Sequence, residues 1–66
     1  MIYHAKISID DDRWAKHPYS VKIYDENDNI VVNQNYLDDE EECLNIISNF
    51  KDQGNDVSDD IETDYY

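Results

Sequence analysis

The sequence predicts a small two-layer α+β domain, a three-stranded antiparallel sheet covered by one helix in the order β-β-β-α, followed by an acidic C-terminal tail. Three observations predict it. Apolar and polar residues alternate from residue 2 to 9, a polar pentapeptide at 25–29 separates two apolar stretches, and Cys43, Leu44, Ile46, Ile47 and Phe50 recur at spacings of three and four. A chain of 66 residues buries only about 60% of the surface it exposes when unfolded, so it has room for a single core. The expected domain is residues 1–54, with 55–66 as the tail.

In the first stretch, Tyr3, Ala5, Ile7 and Ile9 fall on one side and His4, Lys6 and Ser8 on the other, the period of a half-buried strand. Asp10, Asp11 and Asp12 then break the pattern. A loop follows through Arg13, Trp14, Lys16, His17 and Pro18, because Pro18 lacks a ladder donor and biases His17 away from helix; Trp14 is placed over the edge of the core. Tyr19, Val21 and Ile23 alternate with Ser20, Lys22 and Tyr24, the turn residues Asp25, Glu26, Asn27, Asp28 and Asn29 come next, and Ile30, Val31 and Val32 resume a strand. These two segments read as a hairpin. The helix is expected over about 38–53. Asp38 with Glu41, or Asp39 with Glu42, has capping-box spacing, and Lys51 and Gly54 mark the stop. Residues 55–66 hold five acids and no base, the composition of a disordered tail; a short helical turn capped by Ser58 and presenting Val57, Ile61 and Tyr65 is the other reading.

Charge is the main functional signal. Seventeen Asp and Glu against five Lys and Arg give a net charge of -12. Residues 1–24 carry four bases and three acids, whereas residues 25–66 carry fourteen acids and Lys51, or -13. Direct nucleic-acid binding through phosphate neutralisation is therefore excluded. No apolar run approaches the roughly 20 residues of a membrane span, so no membrane association is expected. Cys43, alone in the chain, closes no internal disulfide and fits a reducing cytoplasm.

Catalytic chemistry is sparse, and no enzymatic activity is expected. Cys43 sits on the inner helix face beside a block of carboxylates, the opposite of the positive setting that a thiol catalyst needs. His4, His17 and Cys43 lack zinc spacing, and one glycine, Gly54, cannot build a phosphate-cradling loop. Asp25, Asn27 and Asn29 alternate like the first ligands of an EF-hand, but Ile30 and Tyr36 occupy its glycine and bidentate-carboxylate positions. No metal or other cofactor is expected.

The acids exceed what solubility asks of a small domain, where a net charge of roughly 2 to 8 suffices. Such a surface fits a basic partner, and the candidate contact residues are Asp25, Glu26, Asp28, Asp38, Asp39, Glu41 and Glu42, with Tyr24 and Tyr36 as flanking aromatic anchors. At the expected diameter, on the order of 28 Å, a duplex of equal length holds roughly 16 phosphate charges, close to the charge carried here.

In size, charge block and sheet-plus-acid-capped-helix character, though through no motif, the chain resembles the small acidic phage and mobile-element inhibitors that mimic DNA, of the anti-CRISPR and anti-restriction kind. That resemblance implies an inhibitor in the host cytoplasm, occupying the basic nucleic-acid-binding surface of a CRISPR effector or restriction enzyme. Two other classes remain open: a structural or assembly module, with a homodimer through a strand edge or the uncovered sheet face, and an antitoxin-like binder of one basic protein.

Mutual repulsion of this magnitude opposes folding and is screened over about 8 to 10 Å at moderate salt. The melting temperature is accordingly expected to rise between low and moderate salt. A melt that ignores salt would show the carboxylates to be too well separated to repel.

Overall fold

Chain order is β1 (Ile2–Ile9), β2 (Tyr19–Tyr24), β3 (Ile30–Leu37), α1 (Glu40–Asp52), β4 (Asp56–Val57) and β5 (Glu62–Tyr65). The structure, a computed structural model, describes residues 1–10, 14 and 16–65. Of the loop expected through Pro18, residues 11–13 and 15 lie outside the described residues, as does the terminal Tyr66. Trp14 is 78% exposed and does not cover the core edge.

β1 is central. It pairs antiparallel with β2 from His4↔Tyr24 to Ile9↔Tyr19. Its other edge is filled by two short parallel partners: β4 beside Ile2 and Tyr3, then β5 from Lys6↔Glu62 to Ile9↔Tyr65. The sheet is therefore mixed, in the order β3-β2-β1-β4 with β5 also on β1, rather than the three antiparallel strands expected. The class, α+β with one helix, is as expected.

The same pairing corrects the reading of residues 55–66 as a tail or helical turn, and the folded unit runs past residue 54. An apolar strand with one unpaired edge leaves a row of N–H and C=O groups without partners, and β4 and β5 supply them. Val57 is buried and Ile61 packs against the core. Ser58 donates its N–H to the Tyr3 carbonyl at 2.9 Å, and its hydroxyl accepts the Asp60 N–H at 3.2 Å, so it caps a turn between the two strands and not a helix.

One face of the sheet carries the core. Ala5, Ile7, Val21, Ile23, Cys43, Ile47 and Val57 are buried, with Tyr3, Ile9, Leu37, Ile46 and Phe50 packed around them. The alternation of β1 and the three-four spacing of α1 meet here as sequence periodicity requires. Burial of each large aliphatic side chain contributes about 1.5–3 kcal/mol, so few can be spared in so small a core. Tyr3 and Phe50 close one end edge-to-face, with ring centroids 4.9 Å apart.

α1 begins at Glu40, two residues later than expected, because Asp39 is the N-cap and accepts the Glu42 N–H at 3.0 Å. After the C-cap Gln53, Gly54 takes φ +94° and donates to the Lys51 carbonyl at 2.9 Å. Nothing lies within 4 Å of a Cβ built there, so the backbone angle alone calls for glycine.

β3 continues to Leu37, beyond the apolar triplet, and its register against β2 shifts twice. Val31 is extra between the pairs at Ile30 and Val32. Asn35 and Tyr36, between Gln34 and Leu37, also face the single residue Ser20 between Val21 and Tyr19, and in that second bulge Tyr36 takes φ +62°. The Cα envelope measures 38 × 21 × 17 Å. Four strands abreast span only about 14 Å, so the long axis follows the strands.

Ending the chain after Gly54 removes both partners of one β1 edge together with Val57. The shortened chain is expected to lose its cooperative thermal transition and native circular dichroism at 25 °C. An unchanged melt would mean that residues 55–66 contribute nothing to the fold.

Candidate functional site

The carboxylates predicted to act together lie in two groups, one at each end of β3. Asp25, Glu26 and Asp28 form the turn before it, and Asp38, Asp39, Glu41 and Glu42 follow it. Eight strand residues separate the groups by about 26 Å. They do not form one patch.

At the turn, the Asp25 carboxylate accepts the backbone N–H groups of Asn27 at 2.8 Å and Asn29 at 2.9 Å, and the Asn29 side-chain amide at 3.3 Å. Asp28 supplies the left-handed residue of the turn, with φ +64°. The hydrogen bonds to Asp25, foremost that from the Asn29 backbone, hold its carboxyl below the ordinary aspartate range against an opposing effect of desolvation. A folded-state carboxyl that is the stronger acid stabilises the fold above its unfolded pKa, and this contribution is lost as pH falls through the lowered value. Glu26 accepts the Ile2 N–H at 3.2 Å and lies 3.9 Å from the terminal ammonium.

At the other end, Glu42 reaches back past the N-cap to accept the Asp38 N–H at 2.5 Å, and the Asp38 carboxylate hydrogen-bonds with the His17 ring. That pair ties the β1–β2 connection to the start of α1. Of the seven carboxylates singled out, Asp25, Glu26, Asp38, Asp39 and Glu42 thus hold the fold locally, while Asp28 and Glu41 carry no hydrogen bond or ion pair through their side chains among the described residues. Each carboxylate accepts more than one hydrogen bond, so the engaged groups keep both charge and lone pairs for a partner.

A third acidic region, read from the sequence as a tail, is an edge of the sheet. Asp56, Asp59, Asp60, Glu62 and Asp64 line the β4–β5 edge. Asp59 pairs with Lys51 at 3.6 Å and Asp64 with Lys6 at 3.3 Å, both at the surface. Carboxylates therefore occupy both ends of the long axis and one of its sides. The sheet face away from α1 is mixed in sign: Lys6 stands directly across from Lys22, a repulsive pair relieved by Asp64 and by Glu62 beside Lys6. His4, Lys6, Tyr24, Asp28 and Glu62 line a shallow depression on this face.

The two aromatic candidates differ. Tyr24 is half-buried in that depression, whereas Tyr36 is 80% exposed at the Asp38 end and borders a second hollow with Asp10, His17 and Asn35. A bulky residue at positive φ is costly, and its exposed ring recovers little of that cost by burial.

Cys43 is fully buried, and that burial, reinforced by Glu40, Glu42 and Asp39, pushes its thiol up, so no thiolate forms at neutral pH. Among the described residues no cluster of three or more His, Cys, Asp or Glu is arranged to hold a metal ion, and no helix is long and apolar enough to cross a membrane. Comparisons with family models, curated proteins and solved structures return no match.

Tyr36→Gly relieves the left-handed backbone and sacrifices little buried area. It is expected to stabilise the fold by about 1 kcal/mol, or roughly 4–8 °C in melting temperature. A lower melting temperature would show that the Tyr36 ring is part of the packing.

Proposed function

We propose that this chain is a DNA-mimicking inhibitor that occupies the basic nucleic-acid-binding surface of a host defence nuclease, a CRISPR effector or restriction enzyme, and blocks its access to DNA. The observation that carries the reading is the distribution of carboxylates at both ends and along the β4–β5 side of a body 38 Å long. Duplex DNA of that length holds roughly 22 phosphate charges, and the chain holds seventeen carboxylates. Arg and Lys side chains that grip a phosphate backbone pair equally well with carboxylates held in fixed positions. The local hydrogen bonds of Asp25, Asp38, Asp39 and Glu42 supply that rigidity, which lowers the ordering cost of binding. Tyr36, beside the acids of the helix start, adds apolar contact area at the same end.

Neutralisation can be confined to carboxylates that do not hold the fold. The variant Asp28→Asn, Glu40→Gln, Glu41→Gln, Asp60→Asn is expected to keep or raise the melting temperature. Its displacement of labelled duplex from a CRISPR effector or restriction enzyme that the unaltered chain inhibits is expected to need at least tenfold more protein. Equal potency of the two proteins, or a complex indifferent to excess duplex, would overturn the reading.

A further inference from the structure

β3 forms an edge of the sheet. Among the described residues it pairs with β2 and has no strand on its other side. Exposed edges present unpaired backbone groups that template another strand, and proteins commonly guard them with charge. The opposite edge is guarded in this way, by Glu62 and Asp64 on β5. The sequence Ile30–Leu37 holds no charged residue, and Ile30, Val31 and Tyr36 are exposed along it. Its two bulges confine regular geometry to Val32, Asn33 and Gln34, where the register with Ile23, Lys22 and Val21 is unbroken.

Charge returns at both ends of this neutral edge. Asp25, Glu26 and Asp28 precede it, and Asp38, Asp39 and Glu40 follow it. We propose that the β3 edge accepts an extended segment of a partner protein as an added strand, one that carries basic residues at both of its ends and neutral, β-prone residues between them. Main-chain hydrogen bonding centred on Val32–Gln34 gives the affinity, and the two acidic ends fix the position of the segment. A second copy of this chain is the poorer occupant: antiparallel β3–β3 pairing about a two-fold axis sets the turn acids of one copy against the helix-start acids of the other, twice over, and parallel pairing sets each group against itself. Such strand addition requires no nucleic-acid-binding surface on the partner.

The test is an NMR titration of the full ¹⁵N-labelled chain with three synthetic peptides of about ten residues, the length of the edge plus its flanks. The first has Lys-Arg pairs at both ends of a Val/Thr-rich centre. The second gathers the same basic residues in the middle, and the third repeats the first with alternate backbone amides N-methylated. Amide shifts and interstrand contacts at Val32–Gln34 are expected with the first peptide, with affinity at least tenfold above that of the other two. Equal affinities with shifts confined to residues 25–28 and 38–42 would reduce the interaction to point charges and overturn the proposal. Absence of binding, or a peptide-independent dimer in sedimentation that buries β3, would overturn it as well.

Discussion

Everything in this fold depends on β1 being paired along both edges. Its alternation sends Tyr3, Ala5, Ile7 and Ile9 toward α1, and that single face gathers the helix, β2 and Val57 into one core. The antiparallel pairing to β2 is local and follows from a loop closure. The parallel pairing to β4 and β5 draws an acidic segment against a strand whose one formal charge is Lys6. Backbone satisfaction and the burial of Val57 and Ile61 outweigh the crowding of charge that this brings.

The carboxylates divide into those that shape the molecule and those that only project from it. Asp25 organises a turn, Asp39 and Glu42 cap a helix, and Asp38 holds His17. Glu40, Glu41 and Asp60 make no side-chain hydrogen bond or ion pair among the described residues, so no cation there relieves their repulsion. Under the proposed function, this charge on rigid supports is what a basic partner would meet.

Much of the architecture was legible where periodicity is strong. The eight-residue alternation of β1, the turn residues at 25–29 and the three-four spacing of α1 are long enough to specify strand, hairpin and helix, and Gly54 marks the helix end by its backbone freedom. β4 and β5 were not legible. Two residues of β4 and the four of Glu-Thr-Asp-Tyr, all exposed in β5, contain no period to read, and their composition is that of a disordered acidic segment. The far half of β3 was hidden for a different reason: Asn33, Gln34 and Asn35 have low strand propensity, and the bulge at Tyr36 interrupts alternation. Of the site, the capping role of the acids before α1 could be read from spacing. The separation of the two acidic groups follows from β3 continuing to Leu37, and the His17–Asp38 pair joins residues far apart in the chain, so neither was available from local pattern.

The parallel pairing of β1 with β5 also governs how the chain must be made. Lys6 cannot meet Glu62 until residue 62 has been made, whereas the β2–β3 hairpin needs only its own residues. Contacts so distant in sequence slow folding, because loop-closure entropy is spent before the contact is gained. During synthesis β1 therefore waits with one edge bare, an apolar strand open to any passing partner. Like charge on residues 25–64 repels other copies of the chain while β5 has yet to cover that edge.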